Sequence, residues 1–110
     1  MRKALKELRE RDRQALWPFQ AYVSFRGTGG SRQPRDSVQL ENVCLVQNGR
    51  KKNVASHIWL YGRDAARIHQ EVGTRVSFMG KVKKYQRRDG SPDYKIKHIT
   101  GVVTIEEVVW

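Results

Sequence analysis

Cysteine, acidic residues and long apolar runs are all scarce in this chain of 110 residues, and each shortage excludes something. A single cysteine, Cys44, rules out an internal disulfide framework and any multi-cysteine zinc site. No apolar stretch approaches the roughly 18–20 residues that a membrane span needs. The basic start, MRKALKELRERDRQAL, leads into no signal-peptide apolar region, so a cytoplasmic protein with no membrane partner is expected. His57, His69 and His98 fit no metal-ligand spacing. The carboxylates are scattered singly apart from Glu106-Glu107, whereas a two-metal nuclease wants clustered acids. The Gly27-Thr28-Gly29-Gly30 run lacks the Gly-Lys-Ser/Thr and the following helix of a phosphate-binding P-loop. The expectation is a protein that is not an enzyme and holds no metal or cofactor.

Positive charge is what the chain has in excess. Lys and Arg number 22 against 11 Asp and Glu, a formal net charge of +11. On a length that fits one domain, such an excess favours a polyanionic partner, nucleic acid first. The charge is unevenly placed. Residues 1–16 carry six basic and three acidic groups, while 75–97 carry eight basic groups against Asp89 and Asp93. Three Trp, three Phe and four Tyr, set among β-branched runs, separate the chain from a disordered basic tail.

Residues 2–16 read as a helix with a narrow stripe of Leu5, Leu8 and Leu16, ending before Pro18. From Phe19 the period changes to two. Phe19, Ala21, Val23 and Phe25 form the apolar side of a strand, and Tyr22 and Arg26 decorate the other. A return strand over 38–46 slips its alternation around 41–43, as a bulge would make it do, and carries Cys44 as a small core residue. Asn48-Gly49 is a strong turn signal, with Arg50, Lys51 and Lys52 on that turn. The strand 54–61 sets Val54, Ile58 and Leu60 on one face and His57, Trp59 and Tyr61 on the other. A short helix over 64–72 follows, with Asp64 as its N-cap. The strand 74–85 is interrupted at Gly80 by a bulge or sharp bend, and final strands cover roughly 94–99 and 102–109. Five strands with a helix between the third and fourth match an all-β, five-stranded OB barrel over 17–110, preceded by an amphipathic helix over 1–16.

The segments SVQLENV (37–43), SHIWL (56–60), VGTRVSFMGKVKKY (72–85) and DYKI (93–96) resemble those of small OB-fold proteins of phages and mobile elements. The likeness covers about residues 22–102. Ser56 and Thr74 stand where that pattern has acids, and Gly80 where it has alanine. The resemblance implies an OB fold and suggests single-stranded nucleic-acid binding, and it assigns no biological role; the expected setting for a single-strand binder is DNA replication or recombination.

Single strands are held by basic grooves for phosphates and aromatic faces for bases. The residues expected to do so are Tyr22 and Arg26 on the first strand, then Arg50, Lys51 and Lys52, then His57, Trp59 and Tyr61 on the third strand. Lys81, Lys83, Lys84 and Tyr85 on the fourth strand and Lys95 and Lys97 on the fifth complete the face. Arg32, Arg35, Arg87 and Arg88 come from the two loops that flank it. The expected partner is single-stranded DNA or RNA. An alternative is a protein-interaction adaptor, or an RNA-binding subunit of a larger machine, that docks or self-associates through helix 1–16 or the C-terminal segment.

Overall fold

The computed structural model describes residues 2–28 and 36–105. It contains α1 (Lys3–Arg11), β1 (Trp17–Gly27), β2 (Ser37–Gln47), β3 (Arg50–Tyr61), α2 (Arg63–Ala66), β4 (Arg75–Gln86) and β5 (Pro92–Thr104). The strands form one antiparallel sheet in the order β3-β2-β1-β4-β5. Curvature brings the two edge strands, β3 and β5, into contact without hydrogen-bonded pairing between them. Closure into the expected barrel is therefore absent from the pairing.

The alternating apolar residues of all five strands face one core. Phe19 of β1 and Phe78 of β4 meet at its centre, with ring centroids 5.7 Å apart. Leu5 and Leu8 bring α1 onto one end of that core, and Ala65 and Ile68 cover it beyond β3. The narrow leucine stripe of the first helix is thereby used within the fold. Tyr94 also points inward.

Several elements differ from their expected bounds, each for a local reason. The first helix stops at Arg11 and not at residue 16, because Asp12 adopts an extended backbone and its carboxylate accepts the Gln14 N–H at 2.9 Å. Leu16 is left exposed. The second helix is a single turn, not residues 64–72. Beyond it, Arg26 donates to the carbonyls of Ile68 and Gln70 and diverts them from helical bonding. Asp64 lies inside that turn and is not its cap; its carboxylate accepts the Ile99 N–H at 3.0 Å. The final two predicted strands are one continuous β5, bent near His98, which has φ 56°. Their predicted extension over 106–109 lies outside the described residues.

The predicted irregularities appear where the alternation slips. Asn42 has φ 50°, and the β1–β2 register shifts beside it. Cys44 consequently lands half-buried near Asn42 and outside the core. Asn48-Gly49 makes the β2–β3 turn with both residues at positive φ, so Arg50, Lys51 and Lys52 begin β3 and do not form the turn. Gly80 is needed for close approach: a Cβ there would sit 2.5 Å from the Ile96 Cγ2 methyl, where β4 and β5 shift register.

Candidate nucleic-acid interface

Three large aromatic side chains come together on the outer face of the sheet. Trp59 and Tyr61 of β3 lie two residues apart and stack nearly parallel, with centroids 6.2 Å apart and planes 13° apart. Phe25 of β1 meets the edge of Trp59 at 5.5 Å. Their exposures are 37% for Trp59, 46% for Tyr61 and 44% for Phe25. Contiguous exposed rings of this size mark a contact surface more often than scattered surface apolar residues do.

Phe25 belongs with the core in a strict period-two reading. A register shift between Val23 and Phe25 turns it outward, opposite Gln39, which in turn is opposite Trp59. The signal was therefore a bulge that alternation alone does not place. A second outward row joins Arg75, Tyr22, Glu41 and His57 in register. There the Arg75 guanidinium lies 5.9 Å from the Tyr22 ring centroid, and the Ser56 hydroxyl sits 3.2 Å from Nδ1 of the exposed His57.

Between the β3 and β5 edges opens a cleft of about 640 Å³. Trp59 and Tyr61 line one side, Lys95, Lys97 and His98 the other, with Tyr85 also on its wall. Arg63, Asp64 and Arg67 of the α2 segment also line it, with Arg67 donating to the Ile99 carbonyl; sequence reasoning missed both arginines, because a single helical turn after a strand has no periodicity to read. Lys95 Nζ lies 5.0 Å from the Tyr85 ring centroid, a cation–π distance.

Arg2 holds the floor of this cleft. Its guanidinium donates to the Tyr94 carbonyl of β5 at 2.8 Å and to the His57 carbonyl of β3 at 3.3 Å. One side chain thus bridges the two unpaired edges. Beneath it is Asp93, only 1% exposed, whose carboxylate accepts the Arg2 N–H at 3.0 Å, the Tyr94 N–H at 2.8 Å and the Arg87 Nε–H at 2.9 Å. Burial alone would raise the Asp93 pKa. The Arg2 N–H, the Arg87 guanidinium, the Tyr94 N–H and the Arg2 charge outweigh burial and hold this carboxyl well below the usual carboxylate range.

The other predicted residues separate into groups. Lys81 is opposite Lys97 and Lys83 is opposite Lys95 across β4 and β5, so four lysines share one outward patch. Lys84 is exposed at the far end of β4, opposite Tyr94 in register. Arg87 is tied to Asp93, while Arg88 sits exposed in the β4–β5 loop. Arg26 is occupied by the carbonyls of Ile68 and Gln70. Arg50, Lys51 and Lys52 are exposed at the start of β3, where Lys52 pairs with Glu7 of α1 at 3.8 Å. At about 3.3 Å per residue that places Lys52 about 23 Å from Trp59 along the strand. Arg32 and Arg35 lie outside the described residues.

Among the described residues, no group of three or more His, Cys, Asp or Glu gathers as metal ligands, and no helix is long and apolar enough to cross a membrane. No protein-family model, curated protein or solved structure matches the chain.

Proposed function

We propose that this protein binds single-stranded nucleic acid, DNA foremost, with little sequence preference and without catalysing a reaction. Bases stack on Phe25, Trp59 and Tyr61, and phosphates meet the basic groups of the adjoining cleft. The observation that carries this reading is the contiguous exposed aromatic platform beside Lys95, Lys97 and Arg63. Every base has a π-face, so a platform of this kind tolerates any sequence, at about 1–3 kcal/mol per stacked base.

The same reading takes the fold as a partly open OB barrel. Support comes from the strand order, the helix between β3 and β4, and the approach of β3 to β5. Replication or recombination is the setting proposed for a single-strand binder of this kind, and the resemblance to small OB-fold proteins of phages and mobile elements supports the binding and not the setting. An adaptor that docks through the apolar stripe of helix 1–16 has less support, because Leu5 and Leu8 are buried against the sheet.

The test is competition at fixed salt among matched single-stranded DNA, single-stranded RNA and duplex DNA, read by fluorescence anisotropy. Single strands should win over duplex. The log–log salt slope should be about −3 to −5, from roughly 4–7 phosphates at ~0.7 each. A slope near zero, or preference for the duplex, would refute the proposal.

A further inference from the structure

The bulge that turns Phe25 outward also sets two consecutive residues of β1 against one residue of β2. Val23 is opposite Leu40 and Phe25 opposite Gln39, which leaves Ser24 as the extra residue between them. Its one hydroxyl proton is shared between the Gln39 backbone carbonyl, at 3.0 Å, and the side-chain oxygen Oε1, at 3.2 Å. The first contact is enough to steady a bulge; the second fixes which way the amide points. With Oε1 turned to Ser24, Nε2 is directed away, and among the described residues it meets no acceptor. Gln39 is half-buried and lies between Phe25 and Trp59 in register. The strands of those two rings are roughly 9–10 Å apart, yet the ring centroids are only 5.5 Å apart, so the rings lean toward each other over β2. An oriented pair of N–H donors thus stands at the foot of the platform.

Stacking is tolerant of base identity, whereas a donor aimed at a base edge is not. Thymine, uracil and guanine carry a keto oxygen where cytosine and adenine carry an amine. Nε2 can donate to the first set, and it opposes donor to donor in the second. We infer that Gln39, held by Ser24, reads the edge of the base stacked at Phe25 and Trp59 and favours keto over amino bases there. This inference rests on the proposed function and deepens it by a preference of a few-fold at one position. Ser24 is a positioning residue: without its hydroxyl the amide turns over and offers Oε1 to an amine as readily as Nε2 to a keto oxygen. Glu41, the next outward residue of β2, would favour the opposite set of bases. It lies about 7 Å along the strand, opposite Tyr22 and His57 in the neighbouring row.

The experiment measures Kd for oligodeoxyuridine and oligodeoxycytidine of about 12 nucleotides, within the range that one such domain occupies, at neutral pH and fixed salt. The two strands share sugar, phosphate and ring size and differ at the base edge that Nε2 would meet. The native protein should prefer deoxyuridine about fivefold, the scale of one neutral hydrogen bond. Gln39→Leu, which keeps bulk without a donor, should bring the ratio near unity. Gln39→Glu, which puts an acceptor in place of the donor, should reverse it in favour of deoxycytidine. Ser24→Ala should bring the ratio near unity with Gln39 still present. Glu41→Gln should keep the native ratio, whatever it does to affinity overall. Each ratio is read within one variant, so a loss of affinity common to both strands cancels. A native ratio at unity or in favour of deoxycytidine would overturn the inference. So would a deoxyuridine preference that survives Gln39→Leu or Gln39→Glu, or a shift in Glu41→Gln as large as that in Gln39→Leu. An unchanged ratio in Ser24→Ala would overturn the orienting role of Ser24. Those outcomes leave the platform standing. Failure of the native protein to bind either strand would remove the proposed function, and the edge reading with it.

Discussion

Arginine and lysine divide the molecule between them. In the seam between β3 and β5, and in the loops that brace it, Arg2, Arg26, Arg67 and Arg87 donate to backbone carbonyls or to Asp93. On the adjoining β4–β5 face the cations are lysines, Lys81 opposite Lys97 and Lys83 opposite Lys95 in register. A guanidinium presents several donors in a fixed planar fork, which suits it to pinning carbonyls from two elements at once. An ammonium on a flexible stem is a mobile point charge suited to a phosphate whose position varies. The formal charge of +11 is therefore a poor count of binding capacity, because part of it is structural.

The sharpest way to break this division is to remove the hub of the structural half. Asp93→Ala should cost about 3 kcal/mol of folding stability by denaturant titration, because it strips the partner from two cations around a buried site. A loss under about 0.5 kcal/mol, the scale of surface substitutions, would show that the seam does not depend on it. The pH dependence carries the same information. Because the folded pKa of Asp93 is depressed, its contribution is present above the unfolded value of about 3.9 and is lost as pH falls toward the lower folded value. Native stability should therefore drop below about pH 4 more steeply than that of Asp93→Asn.

A smaller effect tests whether an arginine expected to bind is structural instead. Arg26→Ala should lower stability by about 1.5–3 kcal/mol through its bonds to the Ile68 and Gln70 carbonyls. Its salt slope on a single strand should match the native one. A shallower slope would return Arg26 to the binding face. Trp59→Ala should show the opposite profile, with binding weaker by about 1–3 kcal/mol and melting nearly unchanged. Loss of stability without loss of affinity would make Trp59 a packing residue.

Much of the sheet was legible because alternation, turn chemistry and bulges leave local marks. The outward set His57, Trp59 and Tyr61, the Asn48-Gly49 turn, the slip near Asn42 and the constraint at Gly80 all follow from short windows. Phe25 did not, because a register shift before it reverses its face without changing the residue pattern. Neither did the arginine commitments. Arg2 reaches Tyr94 across 92 positions and Arg26 reaches Ile68 across 42, and no local window contains both partners. The role of Asp93 was hidden for the same reason. It stood in the recognisable DYKI segment, but the groups that stabilise its charge come mainly from outside that segment.

Arg2 has one further consequence, which concerns self-association. A sheet with two unpaired edges offers each of them to a strand of another molecule, and such edges are a recurrent route to aggregates. Here the two edges lie beside each other, and one guanidinium caps a carbonyl on each. A protein that crowds many copies onto one polyanion would meet that hazard at high local concentration. The side chain that bridges the seam thus occupies one of the carbonyls that such pairing would use on each edge.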